Sequence, residues 1–129
     1  MDPRGSVWVA IDGPDGPVHI AATARGVVAV EQRTSDEAFI TSLRRRGKGP
    51  VEAVGAVPPA DPRRRRLDAG IAALERFRAG RPTPRLPVLD LDDRPDWDRR
   101  VLTAVSEIPW GRTASYGEIA RRLGYEPVI

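Results

Sequence analysis

The chain has 129 residues, enough for one domain or for a small domain and the start of another, and 40% of them are hydrophobic but only 5% aromatic, so a core of Val, Leu, Ile and Ala is expected. It contains no cysteine, which excludes disulfides, thiolate metal sites and a cysteine nucleophile within these residues, and one histidine leaves too few ligands for a transition-metal centre. The net charge is +3, with fifteen basic against thirteen acidic groups in residues 1–93 and six against five in 94–129, a balance that permits nucleic-acid binding without arguing for it.

Residues 6–12, SVWVAID, alternate and are rich in β-formers. The GPDG at 13–16 is a turn signal, and PVHIAAT (17–23) and GVVAVEQ (26–32) read as two further strands joined at Arg25-Gly26, giving an antiparallel meander. His19 is expected to be a strand residue rather than a base or a ligand. Thr34 or Ser35 then caps a predicted helix, DEAFITSLRRR, with acids in its first turn and arginines in its last. A Gly- and Pro-rich stretch follows at 47–62, with a short strand within 51–57. A second helix is predicted over about 63–79, its apolar face formed by Leu67, Ile71, Leu74 and Phe77, and Gly80 ends it. The RRRR at 63–66 reads as a solvated helix end. RLPVLDLD (85–92) is an extended exit, and DDRPDWDRR is the expected domain boundary.

Beyond it, Pro95 suits a first helical position, and Trp97, Val101, Leu102, Val105 and Ile108 form a helical stripe. PWGRTA is a loop. Ser115 and Glu118 have the spacing of a capping box that opens a short helix, YGEIARRL, closed by Gly124. No run of about 18 apolar residues occurs, so no membrane-spanning helix is expected, and without a secretory signal the expected location is the cytoplasm.

Two apparent sites lack their chemistry. VAIDGPDG resembles the start of a phosphate-binding loop, but Pro17-Val18-His19 stands where Gly-Lys-Ser/Thr is needed. The acidic cluster Asp90, Asp92, Asp93, Asp96 and Asp98 has no glycine turn within it to converge ligands on a cation, and reads as a polar linker with acids at a helix N-terminus.

Ile108–Ala120, IPWGRTASYGEIA, preceded by a Val101–Pro109 helix, resembles the I-P-aromatic-G-x-x-x-S-Y-G-x-[IL]-A stretch of the alkylated-DNA–protein cysteine alkyltransferases, the O6-alkylguanine repair family. Phe77-Arg78-Ala79-Gly80-Arg81 and Leu86–Asp90 are similar to two further family segments, so the likeness extends over nearly the whole chain; the DDRPDWDR linker departs from the family's usual G-T-x-F-Q. The resemblance implies an α+β fold: a small ribonuclease-H-like meander with helices over 1–93, then the first part of a winged helix-turn-helix domain over 94–129. It implies double-stranded DNA as partner, and with one histidine and no cysteine neither a cofactor nor a metal is expected. It implies that Tyr116 contacts the phosphate of a flipped nucleotide, with Ser115 near the same backbone. As packed residues, Tyr116 is an aromatic of the core and Ser115 a helix cap.

The family's acceptor cysteine, in a P-C-H-R motif, and its recognition helix have no counterpart in these residues. The chain is therefore expected to stop short of them, to bind DNA weakly and to transfer nothing. The alternatives are a non-catalytic DNA-binding or interaction module on the same fold, and a soluble α+β domain whose similarity is structural alone.

Overall fold

A computed structural model describes residues 4–81 and 87–93. The expectations for 94–129, including the helical stripe from Trp97 and the capping box at Ser115, lie outside the described residues. The meander forms as expected: β1 (Ser6–Ile11), β2 (Val18–Thr23) and β3 (Gly26–Gln32) pair antiparallel in sequence order. GPDG makes the first turn, closed by a Gly16 N–H to Gly13 C=O bond of 3.2 Å, so these glycines belong to a hairpin and not to a phosphate loop. A fourth strand, β4 (Val51–Ala53), adds parallel to β1, giving the order β3-β2-β1-β4. The strand expected within 51–57 is thus only three residues long, because the chain tightens into a 3₁₀ turn at Val54–Ala56.

Each face of the sheet carries one helix. Helix α1 (Asp36–Arg45) lies between β3 and β4 in the chain. Ser35 is its cap, its side chain accepting the Ala38 N–H at 3.0 Å, which is worth about 1 kcal/mol. Phe39 and Leu43, one helical turn apart, pack with Ala21, Val28, Ala29, Trp8 and Val51 on one face. Helix α2 (Pro62–Arg78) starts behind Asp61, whose carboxylate accepts the Arg63 N–H at 2.9 Å, with Pro62 at the first helical position. Leu67, Ile71 and Leu74 pack with Val7, Ile20, Ala22 and Val27 on the other face.

β2 lies centrally between β1 and β3 and is buried at all six positions, which is why VHIAAT shows no polar alternation. Pairing in β3 shifts between Ala21 and Ala22, which face Ala29 and Val27. The additional residue is Val28, and the bulge turns both Val28 and Ala29 toward α1. At Gly70 α2 lies close against the sheet: a Cβ there would lie 2.8 Å from Val27 Cγ2 and 2.9 Å from Ile20 Cδ1.

Two sequence expectations for α2 need correction. Phe77 is 70% exposed and does not share the buried face, because 17 residues carry the helix past the end of the core. The arginine run is also not simply solvated. Arg63 is buried, and Arg64 donates to the Val57 carbonyl at 2.7 Å, closing the turn that precedes the helix.

Candidate functional site

Ser115 and Tyr116, the two site residues expected from the sequence, lie outside the described residues. Within the described residues the polar side chains gather into three clusters.

The first holds the exit segment 87–93 to the edge of β3. Val27 N–H donates to Val88 C=O and Asp90 N–H donates to Val27 C=O, both at 2.8 Å, forming a single parallel bridge between Val27 and Leu89. The backbones approach so closely that a Cβ on Gly26 would lie 2.5 Å from Val88 O. Beyond the bridge, each carboxylate has a donor from an element distant in sequence. Asp90 is buried and accepts from Thr23 Oγ1 at 2.6 Å. Asp92 accepts from Lys48 Nζ and, at 2.9 Å, from Arg25 Nη1. Asp93 takes both arms of Arg46, Nε at 2.6 Å and Nη2 at 3.0 Å, while Arg46 Nη1 donates to Val28 C=O at 2.9 Å.

Lys48, the only lysine in the chain, is 8% exposed and sits among all three carboxylates, 3.5 Å from Asp90 and 3.7 Å from Asp93. Burial alone would lower its pKa. The hydrogen bond that Lys48 donates to Asp92 and the charges of Asp90, Asp92 and Asp93 together outweigh that and hold it above its ordinary 10.5. Lys48 in turn lowers the pKa of Asp92, and Arg46 lowers that of Asp93 to about 2. These carboxylates are therefore neutralised by the protein's own cations. Asp90, Asp92 and Asp93 are thus more than the polar linker expected from the sequence, since each is bonded to the folded domain. No group that could hold a metal ion occurs among the described residues.

In the second cluster His19 Nε2 donates to Asp36 Oδ1 at 2.6 Å, the proton being assigned to Nε2 because an ionised carboxylate only accepts. The ring stacks on Trp8 and lies against Phe39, with centroids 6.1 Å and 5.2 Å away. At 2% exposure no substrate reaches His19, so it ties the start of α1 to the sheet, as a strand histidine would.

The third is Arg63, which forks onto Asp61 (Nε–Oδ1 3.1 Å, Nη2–Oδ2 2.8 Å). It also reaches Glu52 Oε2 at 2.7 Å and Arg4 C=O at 2.8 Å. It locks the N-terminus of α2 to β4 and to the chain entering β1. A shallow depression of about 410 Å³ on α1, lined by Ser35, Glu37, Ala38, Thr41, Ser42 and Arg45, has no buried polar group directed into it.

None of these groups is a reactive nucleophile, and no described helix is long and apolar enough to cross a membrane. The described residues thus form a scaffold with its exit pinned at Asp93.

Comparison with known proteins brings in the residues beyond Asp93. Residues 96–128 match the DNA-binding domain of 6-O-methylguanine DNA methyltransferase. Three similar solved structures come from Mycobacterium tuberculosis. A variant of its OGT is 26% identical, with a TM-score of 0.65 over 94% of this chain and 63% of that one. Its O6-methylguanine methyltransferase is 25% identical, with the same coverage and TM-score. Its OGT in complex with DNA is 25% identical, with a TM-score of 0.63 over 93% of this chain and 62% of that one. The chain therefore spans less than two thirds of the length of these relatives. A search of curated proteins finds no match.

Proposed function

We propose that this chain, which resembles the O6-alkylguanine alkyltransferases in fold and in sequence, is a DNA-repair protein of that kind. In this reading residues 1–93 form its first domain and 94–129 lie in its winged helix-turn-helix DNA-binding domain. The observation that carries it is the agreement of two findings, a structural likeness over 94% of the chain and a family match over residues 96–128. The four-stranded sheet with its two helices has the fold of the mycobacterial methyltransferase, and the residues after Asp93 match the DNA-binding domain of the same family. The partner is double-stranded DNA and the compartment is the cytoplasm. Tyr116 and Ser115 contact the backbone of a nucleotide rotated out of the stack, since an atom buried in the duplex is out of reach of any protein group.

Alkyl transfer of this kind ends on a thiolate, and these 129 residues have none. The chain as it stands therefore has no acceptor, which favours a second reading, a DNA-binding module without catalysis. One experiment separates the two. Duplex DNA carrying a labelled O6-methylguanine is incubated with the purified chain, and both bound DNA and label on protein are measured. The expected result is no label on protein and weak binding, roughly micromolar or poorer, that falls steeply with salt and weakens further in Tyr116→Ala. Stoichiometric labelling of the protein would refute the absence of an acceptor. A submicromolar complex at physiological salt would establish the non-catalytic module. Binding equally indifferent to salt and to Tyr116→Ala would remove DNA as the partner.

A further inference from the structure

The exit segment has a feature that domain architecture does not require. A polar tether needs no bonds to the domain it leaves. Residues 87–93 are instead held by two backbone bonds to Val27 and by side chains from three separate places: Thr23 at the end of β2, Arg25 in the β2–β3 turn, and Arg46 and Lys48 after α1. The apolar contribution is small, since Val88 and Leu89 are 49% and 37% exposed. The segment lies on the sheet edge rather than between the sheet and a helix, so releasing it breaks neither core cluster.

We propose that residues 87–93 are an electrostatic strap, closed by Lys48, Arg46 and Arg25 on Asp90, Asp92 and Asp93, that opens as one unit while the sheet and both helices stay folded. Closed, it clamps Asp93 bidentately beside Val28 and so fixes the direction in which the chain leaves the sheet. Open, it frees that direction and uncovers Lys48. Opening free energies of local units lie below the global one where few buried apolar contacts hold them, as here. The proposal stands independently of what residues 94–129 bind.

The composition supplies its own probe. With one lysine in the chain, an acylating reagent meets only two amines, Lys48 and the α-amino group. A buried, ion-paired ammonium reacts only when exposed. The full 129-residue chain is acylated under native conditions, and modification at Lys48 is followed by peptide mass spectrometry against the urea-unfolded chain. The melting transition is recorded in parallel. The expected rate in the native chain is at least about tenfold below that of the unfolded chain, yet faster than global unfolding allows. Two variants attack the strap by different routes. Asp92→Asn with Asp93→Asn removes charge, and Gly26→Ala drives a methyl group into the Val88 carbonyl without touching any charge. Each is expected to speed Lys48 acylation about tenfold or more with the far-UV spectrum unchanged. Acylation of the native chain as fast as the unfolded one would overturn the proposal. So would a rate limited by global unfolding, or a failure of either variant to accelerate it.

Discussion

Replacing Gly70 by alanine sets two known effects against each other, and the structure decides between them. Alanine in a helix interior is more favourable than glycine by roughly 0.5–1 kcal/mol, because glycine loses more backbone entropy on folding. On that ground alone Gly70→Ala would stabilise α2. The new Cβ, however, would lie 2.8 Å from Val27 Cγ2 and 2.9 Å from Ile20 Cδ1. Both partners are buried, and Ile20 is fully so. Neither is the free end of a flexible surface chain, so the helix must lift or the two residues must leave their rotamers. Overpacking of this sort costs about 1–3 kcal/mol. The balance is a net loss of about 1–2 kcal/mol, which for a cooperative unit of this size lowers Tm by roughly 4–12 °C. Thermal unfolding followed at 222 nm measures it. Ile20→Val in the Gly70→Ala background removes the Cδ1 contact, so the double variant should lose less than the two single losses added. A Tm for Gly70→Ala at or above that of the parent would show that α2 does not sit this close to β2 and β3.

Two further outcomes follow from the ion pairs. The Asp93 carboxylate has a folded pKa of about 2 against 3.8 ordinarily, so the stability it contributes is present above about pH 4 and lost as pH falls toward 2. The ceiling is about 2.5 kcal/mol at 1.36 kcal/mol per pH unit, and solvent around the pair reduces it to about 1–2 kcal/mol. Asp93→Asn is therefore expected to be less stable than the parent at pH 6 and to converge with it near pH 2; denaturant curves that stay parallel across that range would contradict the assignment. Arg63→Ala removes a buried guanidinium and leaves the partly buried Asp61 carboxylate without its fork, and is expected to cost about 2–4 kcal/mol by urea unfolding, whereas Arg65→Ala, exposed on the same helix, should stay within about 0.5 kcal/mol. Equal effects of the two substitutions would mean that Arg63 is no more than a surface charge.

What the sequence discloses about this fold is what local chemistry controls. GPDG and Arg25-Gly26 place the ends of three strands to within a residue, Ser35 begins α1 where a cap residue precedes two acids, and Gly80 ends α2. The parallel addition of β4 to β1 was not legible, since a three-residue strand has too few positions to show a period. Phe77 misled because its spacing fits the helix while the sheet beneath has already ended. The inward turn of Arg63 and the pairing of Asp90, Asp92 and Asp93 depend on partners up to 67 residues away, and a run of like charges reads as solvated until those partners are known. For the candidate site, the likeness of 108–120 to the alkyltransferases agrees with the match of 96–128 to their DNA-binding domain. The roles of Ser115 and Tyr116 rest on that resemblance alone, because hydrogen-bonding groups for a phosphate carry no distinctive spacing of their own.

A sheet with free edges is a template for strands of other molecules. Among the described residues, one edge here is β4, which at three residues offers little length for a foreign strand to pair with. The other is β3, longer and bearing a half-exposed Val30. There Val27 spends its backbone groups on residues 88 and 90, and Arg46 occupies the Val28 carbonyl. The bonds that hold the departing chain thus also occupy, at Val27 and Val28, backbone groups through which one copy could add to another. Conditions that loosen those bonds, such as high salt or acid, should promote edge-to-edge self-association before the core melts.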